Sequence, residues 1–258
     1  AEKLDPSAMH GTFVAVPVAN PPAYEAGLRV NPDDRQDLAR TFPGNRQGTV
    51  TEQVAHVLTQ AFIRHADFYC DLHSAGQYYA IEPWVGYQMR PALLKPQREA
   101  ARIFGLPTVW GTPGLPGRTL STAADFGIPS IYAEVTGEGR CREADVDRHA
   151  FGVRQLLAWL EITPHAPRGY EPLRIVEDPR ENAGYLQVQC RAAGGGFFQP
   201  AVALGREVAA GETLGHILDP RGQRLHTAVS AVAGRVVFLR TFSRVLAGDP
   251  LGTVMEQP

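Results

Sequence analysis

The helical periodicity of this chain stops at Pro164 and does not return. Before that point, short β-branched or apolar runs alternate with segments whose apolar residues recur every three to four positions, the pattern of strands and amphipathic helices in an α/β fold. Beyond Pro164, Pro167 and Gly169 there are only short strand-like runs and turns, with a glycine run at Gly194, Gly195 and Gly196. This change of pattern predicts two domains: an α/β domain over residues 1–165, and a smaller all-β domain over residues 170–258. A chain of 258 residues is long enough for both to bury a core.

The C-terminal half carries an internal repeat. Val208-Ala209-Ala210-Gly211-Glu212-Thr213-Leu214-Gly215 matches Val245-Leu246-Ala247-Gly248-Asp249-Pro250-Leu251-Gly252, which implies a small barrel or sandwich of two similar halves. It resembles the biotinyl and lipoyl carrier barrel. Lys3 and Lys95 are the only lysines, so the domain has no attachment point for such a group, and a structural or pocket-covering role is left.

Within the first half, Ala66 to Gly76 reads as an apolar strand ending in an acid, a histidine and a glycine. Alternate side chains of a strand share a face, so Asp71 and His73 point the same way from its end. In α/β sheets the chemistry sits at the carboxyl ends of strands. A neutral imidazole there can bind zinc with a carboxylate orienting it; the alternative is a histidine that caps the strand and bonds a loop. A second strand, Pro129 to Gly137, repeats the form with Glu134 as its one acid, and a carboxylate on an apolar strand needs a partner or a role.

Four other stretches frame these two. Gly11 to Val18 is a non-alternating β-branched run, read as a strand buried on both faces. Asn31 to Gly44 is a polar, proline-broken loop rich in Arg and Asp, either a solvated turn or a holder of a guanidinium that grips a carboxylate. Thr49 and Glu52 form a capping box for a helix carrying Val50, Val54, Val57, Leu58, Ala61 and Phe62. Tyr78, Tyr79, Trp84 and Tyr87 either wall a pocket or fill a core.

A formal charge of -2 with dispersed Arg and Lys leaves no footprint for nucleic acid or a membrane surface, so the expected partner is a small-molecule substrate. No run approaches a membrane span and no signal peptide pattern opens the chain. Cys70, Cys141 and Cys190 are odd in number and widely spaced, which suits reduced thiols and a cytoplasmic location.

Taken in order, VPVANP (Val16 to Pro21), NPDDRQDLARTFPG (Asn31 to Gly44), ADFYCDLHSAG (Ala66 to Gly76), GIPSIYAEVTGEG (Gly127 to Gly139) and the C-terminal β domain resemble the succinylglutamate desuccinylase/aspartoacylase family. The resemblance implies a zinc carboxypeptidase-like α/β fold with a mixed, mostly parallel sheet flanked by helices, followed by the all-β, barrel-like domain. It implies a zinc-dependent deacylase that cleaves the amide bond of a small N-acyl amino acid. Carried onto this chain, His73 becomes a zinc ligand, Asp71 its supporting partner, Glu134 the general base, and Arg40 the substrate-carboxylate clamp. Asp37 and Arg118 are grouped with Arg40 as substrate-binding residues.

Two departures stand out. The family has DLNR where this chain has Asp37-Leu38-Ala39-Arg40, so a side-chain amide beside Arg40 is missing. The family's first two zinc ligands lie in an H-x-x-E motif upstream of VPVANP, and this sequence holds no H-x-x-E. The expectation is either a chain without the family's N-terminal strand-helix unit or a metal-free carboxylate-binding descendant. An open sheet edge beside the Val14 strand would then favour a homo-oligomer.

Overall fold

The computed structural model describes residues 4–256. The first half contributes strands β1 (Tyr69–Ser74), β2 (Tyr79–Ile81), β3 (Trp84–Gln88), β4 (Thr108–Thr112) and β5 (Ser130–Val135). Its helices are α1 (Pro21–Ala26), α2 (Val50–Ala61), α3 (Leu94–Phe104), α4 (Thr119–Asp125) and α5 (Glu143–Trp159). Strand β6 (Arg174–Glu177) follows. The central sheet has five strands in the order β1-β5-β3-β4-β6. Three of its pairings are parallel and one, β3 with β5, is antiparallel, so the expected mixed, mostly parallel sheet is present.

The central strands are apolar on both faces because helices cover the sheet. Residues Val85, Val109, Ile131 and Ala133 pack with Phe104 of α3 and Leu156 of α5 in one core. Gln97 is fully buried in α3, yet its amide donates to Gln88 O at 2.7 Å and accepts from Ser130 N at 3.2 Å, so this polar group costs little. At the other end, α2 begins with the capping box expected from Thr49 and Glu52. Its Ala55 packs with Leu38 and Phe42 from the Arg40 turn and Ala123 of α4.

One expected element is not there. Gly11 to Val18 joins no sheet, and Val14, Val16 and Val18 are 56%, 42% and 37% exposed. A β-branched run becomes a buried strand only when a neighbour takes its backbone hydrogen bonds, and Pro17 removes one donor from this segment. Among the described residues β1 is an edge strand, paired with β5 alone.

The second half adds β7 (Cys190–Arg191), β8 (Gly196–Pro200), β9 (Glu207–Val208), β10 (Thr213–Leu218), β11 (Arg224–Val229), β12 (Gly234–Arg240), β13 (Arg244–Val245) and β14 (Pro250–Met255). Of the barrel or sandwich that the repeat implied, they form two separate sheets and not a closed barrel: β11-β10-β8-β13, and β2-β12-β14-β7 with β9 also on β12. Phe198, Leu214 and Ile217 of one sheet pack against Val236, Leu251 and Val254 of the other. The two copies of the repeat fall on β9-β10 and β13-β14. The division expected near residues 165–170 is crossed in both directions, since β6 completes the first sheet and β2 belongs to the second. No helix among the described residues is long and apolar enough to cross a membrane, and the three cysteines are free.

Candidate active site

The parallel pairing of β1 with β5 sets His73 directly beside Glu134, and Asp71 beside Tyr132. Both strands bring these groups to their carboxyl ends, so residues 61 positions apart in the chain, 73 and 134, become neighbours through register alone. The turns beyond the two strands are locked together at Gly137. Its φ is +96°, and a Cβ there would sit 2.6 Å from Ala75 Cβ and 2.8 Å from Tyr79 O. Only glycine fits such an approach.

Asp71 Oδ2 accepts from the Thr119 hydroxyl at 2.6 Å and lies 3.1 Å from His73 Nε2. Burial opposes the Asp71 charge, but the His73 imidazole and these hydrogen bonds hold its carboxyl below the usual range. The same carboxylate raises His73 to about 9, against the opposing effect of burial. Burial pushes Glu134 up, with His73 partly offsetting it, and Glu134 Oε2 is buried without a hydrogen-bond partner. Cys70, on the same strand, has its thiol pushed up by burial and by Asp71, which makes it a poor nucleophile.

Asp71, His73, Thr119 and Glu134 line a cavity of about 770 Å³, the size of a small-molecule site. Tyr78, Tyr79, Trp84 and Tyr87 all line it, and Trp84 and Tyr87 are also almost fully buried, so the aromatic stretch serves wall and core together. In the same cavity lining, Arg40 Cζ and Arg118 Cζ lie 5.6 and 5.7 Å from the centre of the Tyr185 ring. Arg40 closes a short 3-10 turn, Leu38–Arg40, capped by Asp37. The loop before Arg118 is pressed against that turn at Gly117, where φ is +77° and a Cβ would lie 2.2 Å from Arg40 O. Burial lowers the Arg118 pKa, Arg40 lowers it further, and Arg118 Nε is buried without a partner. Among the described residues neither guanidinium is in a salt bridge.

Asp37 lines the cavity too, with its oxygens engaged. Oδ2 takes Arg29 Nε and Nη2 at 3.1 and 2.9 Å, and Oδ1 takes Ala39 N at 3.0 Å. The sequence reading missed Arg29, Tyr185 and Gln187, which also line the cavity. They sit on irregular segments where no periodicity marks them. The one available signal was the isolated Tyr185 within a polar, glycine-containing stretch.

A catalytic zinc takes three protein ligands. Among the described residues no group of three His, Cys, Asp or Glu is placed to hold a metal ion. His73 offers one nitrogen, and the Asp71 oxygen next to it is committed to Thr119 and His73. The described residues therefore do not fit a zinc centre.

Comparison with known proteins agrees with the arrangement of strands. Residues 1–160 match the succinylglutamate desuccinylase/aspartoacylase catalytic domain. The N-alpha-acetyl-L-2,4-diaminobutyric acid deacetylase of Halomonas elongata is 26% identical over 262 residues, covering 99% of this chain and 75% of the relative. A succinylglutamate desuccinylase/aspartoacylase crystal structure from Rhodobacter sphaeroides superposes with a TM-score of 0.87 at 28% identity, over 100% of this chain and 79% of that one. The product-bound ectoine utilization protein of Ruegeria pomeroyi shares the fold with a TM-score of 0.89 at 24% identity, over 98% and 77% of the two chains. With 160 of its 258 residues matched by the family's catalytic domain, this chain belongs to the succinylglutamate desuccinylase/aspartoacylase family of deacylases.

Proposed function

We propose that the cavity binds a small N-acyl amino acid, with its carboxylate at Arg40 and Arg118 and its acyl carbon beside Glu134, and that the reaction is hydrolysis of the amide bond. The observation that carries this reading is the presence of opposite charges in the lining of one cavity. Two guanidinium groups without an acid stack on Tyr185, and a buried carboxylate without a partner faces the same space. Two like charges held together in a half-buried wall favour an anion between them. Their planar forks match a carboxylate.

In the reaction, the oxygen of a water molecule forms a bond to the acyl carbon while Glu134 takes the water's proton. The carbon–nitrogen bond then breaks, and Glu134 returns the proton to the departing amine. Asp71, fixed by Thr119, holds the His73 ring at the edge of this space. Zinc enters only as the cofactor implied by the family, with His73 as the ligand named for it; no step here runs through it. The acetylated amino acid acted on by the Halomonas relative indicates the substrate to try first.

A second reading, a carboxylate-binding protein that keeps the pocket without turnover, is favoured by Ala39 in place of a side-chain amide and by His73 as the one imidazole lining the described cavity. One experiment separates the two. Acetate release from N-acetyl-L-2,4-diaminobutyrate is followed by NMR, with and without added zinc, for the wild type and Glu134→Gln. The deacylase reading expects release that falls by about 10²–10⁴ in the variant. Saturable binding without release selects the second reading, and neither binding nor release sinks both.

A further inference from the structure

Arg40 is aimed by a residue 147 positions further along the chain. The segment leading into β7 is pinned to β14: Gln189 Nε2 donates to Val254 O at 2.9 Å, Val254 N donates to Gln189 Oε1 at 2.5 Å, and the Thr253 hydroxyl donates to Leu186 O at 2.6 Å. So anchored, the segment places the Tyr185 ring against both guanidinium groups. It also places Gln187 Oε1 at 3.2 Å from Arg40 Nη2. The other terminal nitrogen, Nη1, donates to Ala39 O at 2.8 Å.

A guanidinium only donates, so the oxygen of the Gln187 amide must face Arg40 and its Nε2 must face away. Position 39 has nothing to contribute beyond its backbone, because alanine carries no polar side-chain atom. Arg40 sits on a long flexible stem next to a second positive charge, which by itself would push it off any fixed direction.

We propose that Gln187 both positions Arg40 and binds the ligand: its oxygen fixes the guanidinium, its Nε2 donates to the carboxylate of the bound ligand, and it supplies the side-chain amide that position 39 lacks. The substrate part of this inference rests on the reading of the cavity as an N-acyl amino acid site. The C-terminal β domain thus sets selectivity for a free carboxylate, by way of an irregular segment that it anchors.

The test is calorimetric titration of the full chain with two probes, propionate as a bare carboxylate and N-acetyl-L-2,4-diaminobutyrate. Gln187→Ala is expected to raise Kd for both by about tenfold, the usual effect of one hydrogen bond to a charged group. Gln187→Glu, which places a competing carboxylate on Arg40, is expected to raise Kd by about a hundredfold or more. Adding Ala39→Asn to Gln187→Ala is expected to restore binding to within about threefold of wild type, as a second source of the same amide, which a purely structural role for Gln187 would not allow. Wild-type binding of propionate without the acetylated amino acid would sink the substrate reading and leave the Gln187 effect legible from propionate. Equal affinities for wild type and Gln187→Ala would overturn the inference, as would failure of the wild type to bind either probe.

Discussion

Replacing Arg118 by Met should make the empty protein more stable and the ligand less able to stabilise it. In the wild type, Arg118 is a half-buried cation whose Nε has no partner and whose charge is opposed by Arg40. An unsatisfied buried donor costs about 1–3 kcal/mol. Against this, the substitution loses the contact of Arg118 Cζ with the Tyr185 ring at 5.7 Å, worth about 0.5–1 kcal/mol. Methionine keeps most of the apolar stem. The balance is a gain of about 1 kcal/mol for the unliganded variant, or about 2–4 °C in Tm for a chain of this size. Ligand acts in the opposite sense. At a hundred times its Kd, N-acetyl-L-2,4-diaminobutyrate should stabilise the wild type by about 2.7 kcal/mol, and Arg118→Met should lose most of that. Differential scanning calorimetry with and without the ligand reads both numbers. A variant that is less stable when empty and still fully stabilised by ligand would show that Arg118 is a structural residue, and the anion-site argument would fail.

Three further outcomes follow from particular contacts. Asp34 accepts from Thr51 N and Thr51 Oγ1 at 2.8 Å each and from Gln36 N at 3.0 Å, and these hydrogen bonds outweigh burial to bring its pKa from 3.8 to about 2. A depressed folded-state pKa stabilises above pH 3.8, so Asp34→Ala should cost about 1–2 kcal/mol at neutral pH. In urea titrations the gap from wild type should close as pH falls from 3.8 towards 2; a gap that persists at the lower pH contradicts the assignment. Gly117→Ala puts a Cβ 2.2 Å from Arg40 O at a φ of +77°, so it should lower stability by more than about 1 kcal/mol and weaken carboxylate binding together; stability lost with unchanged affinity would separate the Gly117 turn from the site. Arg240, whose side chain is 4% exposed, lies 5.6 Å from the centres of both the Tyr78 and Tyr79 rings and 3.2 Å from Asp249. Asp249→Asn removes the acid opposite this charge while its donations to Phe242 O and Tyr79 Oη remain, so it should cost about 1.5–3 kcal/mol in chemical denaturation, and a loss below about 0.5 kcal/mol would refute it.

The cluster of Asp71, His73 and Glu134 was legible because it rests on local rules. Period-two alternation places Asp71 and His73 on one face, and a lone acid in an apolar strand marks Glu134; parallel register then joins them. The Thr49–Glu52 capping box was equally local. What the sequence hid depends on pairing between distant segments. Gly11 to Val18 has strand composition and no strand to pair with among the described residues, and β2 follows His73 closely yet pairs with β12, more than a hundred residues away. The arginine wall divides along the same line. Arg40 belongs to a stretch whose composition flagged it, while Tyr185 and Gln187 act from a segment whose position is set by β14. The repeat implied a barrel or a sandwich of two similar halves but could not choose between them, because closure is decided by edge pairing.

The central claim is that this cavity holds the free carboxylate of an N-acyl amino acid against Arg40 and Arg118. Its most direct test is calorimetric titration of Glu134→Gln, in which hydrolysis cannot consume the ligand, with N-acetyl-L-2,4-diaminobutyrate and with its methyl ester. Each charge-assisted hydrogen bond lost is worth about 1.5–3 kcal/mol, so the acid should bind at one site and the ester about a hundredfold more weakly. Equal affinity for acid and ester would contradict the account.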